Sequence, residues 1–115
     1  MSDLPPGVDD LDALAAAPGY HTLLLENERV RVLDTTVLSG HRVPLHTHKW
    51  PAVQYILSWS DFVRCDAQGR VVLDTRSIQA KPGAGAAAWS GPLAPHTLEN
   101  VGDLELRVIS VELKT

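Results

Sequence analysis

From Tyr20 to the end of the chain, short runs of Val, Leu, Ile and Thr are cut at close intervals by Gly, Pro, Asn and Asp. Such a rhythm leaves no room for helices and reads as consecutive β-strands, expected near 20–25, 29–38, 43–48, 52–59, 61–66, 70–76, 86–90, 96–101 and 105–113. Asn27 and Ser39-Gly40 mark the first turns, and Asp66-Ala67-Gln68-Gly69 has the acidic start and late glycine of a hairpin. Lys81 to Gly85 and Ser90-Gly91-Pro92 are further loops. So many strands in 115 residues would leave many open edges unless the sheet closed on itself or formed two packed sheets. The fold class is therefore all-β, a single antiparallel β-barrel or jelly roll.

Residues 1–19 have a different character. Pro5, Pro6 and Gly7 break structure, and the Ala- and Leu-rich run from Asp10 predicts a short helix stopped before Pro18-Gly19, with Asp9 or Asp10 as its cap. This segment is expected to be an arm packed on the barrel or on a partner subunit. The predicted organisation is an arm over 1–19 and one barrel domain over 20–115, a length suited to one core.

A formal charge of -4 with scattered Lys and Arg offers no basic stripe for a run of phosphates, so nucleic acid is not an expected partner. No stretch approaches the roughly 18 apolar residues of a membrane-spanning helix, and no export signal is read at the N-terminus. The single cysteine, Cys65, cannot form an internal disulfide and is read as structural, which makes the cytoplasm the expected compartment.

The residues with the clearest chemistry are histidines. Strand alternation puts His46 and His48 on one face, where two imidazoles can share an ion. His96, at the start of a later strand beside the constrained Pro92–Pro95 turn, completes a three-nitrogen site with open positions for water or substrate. His41 and His21 are expected to face solvent.

The stretch from Gly40 to His46-x-His48, followed by His96-x-x-x-Asn100, resembles the two motifs of the cupin superfamily. The resemblance runs from about Tyr20 to Thr115. Glu26 to Leu33, Glu99 to Asp103 and Val111 to Lys114 are similar to a group of small single-domain bacterial cupins. It implies a double-stranded β-helix, a short antiparallel jelly-roll barrel, in agreement with the strand count. The cupin pattern also places a glutamate ligand just before a strand that here reads Val53-Gln54-Tyr55-Ile56-Leu57, and that position is Ala52. Gln54 shares its face, so its amide could coordinate the ion or hydrogen-bond a bound water. The usual Pro-x-Gly-x-x-His of the second motif is replaced by Gly91-Pro92-Leu93-Ala94-Pro95-His96.

The resulting expectation is a protein that binds one divalent transition metal through His46, His48 and His96, with Gln54 as a fourth neighbour that orients substrate or water. Fe, Mn, Ni, Cu and Zn all accept imidazole. Without the glutamate, the ion's charge is left uncompensated, which favours an anionic ligand. A small oxygenated metabolite is the expected substrate, with dioxygenase, isomerase and lyase chemistry all open. A non-catalytic ligand-binding or sensor barrel, and a metal-free barrel, are the alternatives.

Trp59, Trp89, Tyr55 and Phe62 are expected in the core, whereas Trp50 is singled out as a lid, a subunit contact or a substrate contact. Arg64 and Arg76 could contact an acidic ligand, but on barrel strands they are expected to face water. A homodimer is expected, with the arm available to cross to the partner.

Overall fold

The computed structural model describes residues 9–114, so Pro5, Pro6 and Gly7 lie outside the described residues. Nine strands follow one short helix: β1 (His21–Glu26), β2 (Val30–Val37), β3 (Arg42–His48), β4 (Ala52–Ser58), β5 (Phe62–Asp66), β6 (Val71–Asp74), β7 (Ala87–Ser90), β8 (Leu93–Asn100) and β9 (Leu106–Leu113). Each corresponds to a predicted strand. Two boundaries differ. Strand β8 begins at Leu93, because Pro95 stands at a register irregularity between His46–His96 and His48–Leu93 and costs no regular ladder bond. Residues Thr75–Ser77 leave the extended conformation for a 3₁₀ turn capped by the Asp74 side chain, which accepts from Arg76 N.

The strands form two antiparallel sheets, with orders β1-β2-β9-β4-β7 and β3-β8-β5-β6. This is the double-stranded β-helix. Alternation along each strand sends Leu33, Val37, Val43, Ile56, Phe62 and Leu106 inward, where all are buried. Helix α1 (Ala13–Ala16) packs where the edge strands β1 and β3 meet, through the buried Ala13 and Ala17. Its cap is Asp12, whose side chain accepts from Leu14 N, and not Asp9 or Asp10, which precede it in a 3₁₀ turn (Asp9–Leu11). From Asp9 onward the arm segment thus lies on the body of its own chain. No helix among the described residues is long and apolar enough to cross a membrane.

One buried side chain ties three crossings together. Asn100 is fully buried; its amide donates to Val37 O and Leu104 O, while its Oδ1 accepts from Ser60 Oγ and Gly102 N. Beside it, a Cβ on Gly102 would stand 2.8 Å from the Asp61 amide nitrogen and 2.2 Å from Ser60 Oγ. Replacing Asn100 by Leu removes four hydrogen bonds from a buried junction, and replacing Gly102 by Ala forces two loops apart. Each variant is expected to lose about 2–4 kcal/mol, on the scale of buried unsatisfied groups and steric strain, read as a lowered urea midpoint. Unchanged midpoints would remove the bolt role of this pair.

Candidate metal centre

The wall of the interior carries four imidazoles. His46 and His96 stand opposite each other in the β3–β8 register, and register irregularities on either side of His46 re-aim this part of β3, as bulges do beside functional sites. His48 follows on the same face of β3, and His21 enters from β1 across the gap between the sheets. Ring centroids are 4.3 Å apart for His46–His96, 5.1 Å for His46–His48, 5.8 Å for His48–His96, 5.0 Å for His21–His46 and 5.4 Å for His21–His48. The nitrogen ligand atoms of His21, His46 and His48 lie within 4.8 Å of one another.

The structure therefore brings His46, His48 and His96 together and adds His21, which was expected to face solvent and is only 4% exposed. The reason is local. Helix α1 covers the start of β1, and Ala17 O accepts from His21 Nδ1 at 3.0 Å. His41 is exposed, as expected, at the edge of the Tyr20 ring.

All four imidazoles are oriented in the same way. Nδ1 meets Ala17 O in His21, Pro44 O in His46 at 2.8 Å, Ala94 O in His96 at 2.7 Å and Glu112 Oε2 in His48 at 3.0 Å. Carbonyls and carboxylates only accept, so each Nδ1 carries the proton. In its neutral form each ring then has its lone pair on Nε2, the nitrogen that a metal takes. The donors of His21, His46 and His48 are near enough to share a divalent transition ion, for which imidazole is a good ligand, and His96 stands beside His46 next to that group.

Glu112 is the site residue that sequence reasoning missed. It is 1% exposed and sits on β9 directly opposite Ala52, so the carboxylate absent from β4 has a counterpart one strand away. Its other oxygen accepts from Arg31 Nε at 2.6 Å, and Arg31 makes a two-pronged contact with Asp12 at 2.9 and 2.8 Å. Burial alone would raise the Glu112 carboxyl, but hydrogen bonds from His48 and Arg31 outweigh it and hold the group below its usual range. Asp12 behaves likewise, with burial opposed by Arg31. Two carboxylates against one guanidinium leave one negative charge behind the imidazoles. The expected uncompensated ion charge is corrected accordingly.

A cavity of about 330 Å³ opens from this wall and is lined by His21, His46, His48 and His96 together with an apolar lining that includes Val37, Val43, Ile56, Phe62 and Leu98. Gln54 lines it from β4, between Ala88 and Ser110 in register. Trp59 and Phe62 belong to the interior, while Tyr55 and Trp89 are exposed at 46% and 63%, because their strand positions point to the outer face. Trp50 is not a cavity residue. Its indole lies beneath Lys49 Nζ, Arg31 Cζ and Lys114 Nζ at 4.5, 5.1 and 5.4 Å, covering the Arg31 contact from outside. Arg76 faces water beside Asp74, whereas Arg64 lines the cavity.

No protein-family model matches the sequence, and no curated protein does. Solved structures do match in fold. A cupin domain from Bordetella pertussis aligns with a TM-score of 0.65 and 20% identity over 83% of this chain and 92% of that one. The polyketide cyclase RemF from Streptomyces resistomycificus aligns at 0.55 and 19% over 98% and 79%, and a predicted oxalate decarboxylase from Thermotoga maritima at 0.51 and 22% over 83% and 79%. The chain has the cupin fold, and its histidine cluster fits a metal-binding member of that fold.

Burial has a measurable consequence here. Desolvation pushes the pKa of His21 and His96 down from 6.5 to about 4 and that of His46 to about 3. Between those values and 6.5 the unfolded chain binds more protons than the folded one, so this stability is fully present above about 6.5 and is lost as pH falls. The urea midpoint of metal-free protein is expected to drop between pH 7 and pH 5.5, a window above the ordinary carboxylate range. An unchanged midpoint would contradict the neutral, buried state of the three rings.

Proposed function

We propose that the protein is a metal-dependent cupin that holds one divalent transition ion through Nε2 of His21, His46, His48 and His96 and acts on a small oxygenated metabolite. The observation that carries this reading is the shared orientation of the four rings, each with Nδ1 tied back to an acceptor and Nε2 free for the ion. Metal ligands are oriented in this way by their outer partners. Fe, Mn, Ni, Cu and Zn all suit such a donor set. The ion would supply Lewis acidity or oxygen activation for dioxygenase, isomerase or lyase chemistry.

The chain's own groups set the terms of that chemistry. Glu112 fixes the His48 tautomer and raises the basicity of its free nitrogen. Arg31 and Asp12 keep Glu112 ionised and turned toward His48. The apolar part of the lining lowers the local polarity, which strengthens polar contacts made there. Gln54, on the opposite wall, is placed to hydrogen-bond a bound molecule and is assigned that orienting role.

Equilibrium dialysis of untagged protein against Ni²⁺ or Zn²⁺, followed by elemental analysis, is expected to give one ion per chain. His48→Ala should abolish binding, and His21→Ala should weaken it at least tenfold. Glu112→Gln should weaken it by about 10- to 100-fold, the usual effect of removing an outer-shell partner, whereas His41→Ala should leave it unchanged. Less than about a tenth of an equivalent in the parent protein would end the metal proposal.

Two copies of the chain are also proposed to pair through the outer face of the larger sheet. Trp89, Val53, Val111 and Val32 form one continuous row across β7, β4, β9 and β2, with Tyr55 and Ile109 in the row beside it. A solvated antiparallel face is ordinarily polar, and an apolar row of this kind suits an isologous two-fold contact. Light scattering at micromolar concentration is expected to give a dimer, and Val53→Lys a monomer; a monomeric parent protein would remove the proposal.

A further inference from the structure

Among the described residues, Arg64 is the charged group the metal centre does not explain. It lies on β5 opposite Leu98 of β8, two residues from His96 on the same inward face. The neighbouring inward position on its own strand, Asp66, spends its carboxylate on the Gln68 and Arg70 amides of the hairpin turn. None of the ion pairs of the described residues includes Arg64. Its Nε is buried without a hydrogen-bond partner, and the Phe62 ring, 5.6 Å from Cζ, can meet its face but not its N–H edge. Trp59 Nε1 is the other buried donor without a partner in bonding geometry, although Asp61 is near enough to feel it, and Trp59 lines the same cavity.

A buried donor left without an acceptor weakens the fold, more so when charged, so orphaned groups in a folded protein call for an explanation. Burial of Arg64 disfavours its charged form, and nothing in the protein offsets this. Its charge is felt at His96, on the adjacent strand of the same cavity wall. The remaining wall is mainly aliphatic and aromatic. A planar guanidinium with open N–H edges at the side of an apolar chamber matches the fork geometry of a carboxylate.

We propose that Arg64 anchors a carboxylate of the ligand beside His96, and that the cavity takes small organic acids whose apolar body lies along its aliphatic and aromatic lining. This names a substrate class for the function proposed above and rests on that reading only for the chemistry; the anion contact itself requires no metal. With an ion seated, two centres of positive charge would face one cavity against the single negative charge behind His48. An uncharged ligand would then be disfavoured further.

The test uses benzoate as probe and benzamide as its neutral counterpart, titrated into metal-free protein and followed by ¹H–¹⁵N amide shifts. Benzoate is expected to bind at least tenfold more tightly than benzamide, with shifts centred on β5 and β8. Arg64→Gln should erase the preference, Arg64→Lys should reduce it while retaining its sign, and Arg76→Gln should leave it intact. Equal binding of the two probes by the parent protein, or a preference that survives Arg64→Gln, would overturn the proposal. Should Arg64→Gln fail to fold, the probe comparison in the parent protein and Arg64→Lys decides. The two readings fail separately: benzoate selectivity without any metal uptake would leave Arg64 in place and remove the metal centre, and metal uptake without benzoate selectivity would do the reverse.

Discussion

The interior of this barrel is organised around a carboxylate that water cannot reach. Glu112 is almost fully buried and is tolerable there only because Arg31 and His48 occupy its two oxygens. Arg31 is in turn held by Asp12, the residue that caps the only helix of the described chain. The helix cap, the second and ninth strands and a site histidine therefore belong to one hydrogen-bonded chain. Breaking such a buried pair by removing one partner costs about 3–5 kcal/mol, because a charge is left stranded. The order of the N-terminal arm and the geometry of the site are thereby coupled, and Ala17 O, at the end of the same helix, adds a second tie through His21.

Placing the acid behind an imidazole has different consequences from placing it among the ligands. A carboxylate at position 52 would stand opposite Glu112 on the same face, where two buried like charges repel. Alanine there avoids the conflict and leaves the ion-facing surface to neutral nitrogens. The charge of an ion held there would still be balanced in part, but from a distance and through His48. The site is thus less electrophilic than a bare set of imidazoles and more open than one with a bound carboxylate.

Strand positions were legible because turn chemistry is local: Asn27, Ser39-Gly40, Asp66 to Gly69 and Ser90 to Pro92 punctuate the chain where the strands end. Alternation also predicted the shared face of His46 and His48. His21 and Glu112 were not legible for one common reason. Each depends on which strands become neighbours, and neither the β4–β9 pairing that sets Glu112 opposite Ala52 nor the closure of β1 toward β3 is written in any local pattern. The helix cap was misplaced for a related reason: Asp9, Asp10 and Asp12 are equivalent as short acidic residues, and tertiary pairing of Asp12 with Arg31 separates them. Trp50 drew notice by its place beside the histidine pair, yet three cations hold its ring on the outside.

Arg64 shows the same dependence in the other direction. A charged residue on a barrel strand ordinarily faces water, and its strand neighbours Phe62 and Asp66 give no sign of an exception. The inward face of β5 is fixed only when Phe62 pairs with Asn100, which is bolted to three other segments. Once that register is set, position 64 must point into the cavity, and an arginine there has no protein acceptor to meet. The stability lost by burying it is concentrated in the chamber that carries the imidazoles, on the strand next to His96. Buried groups that weaken a fold without a structural return cluster at functional sites. The cavity therefore carries its unpaired cation on the strand next to His96, beside the imidazoles, with aliphatic and aromatic side chains lining the remainder.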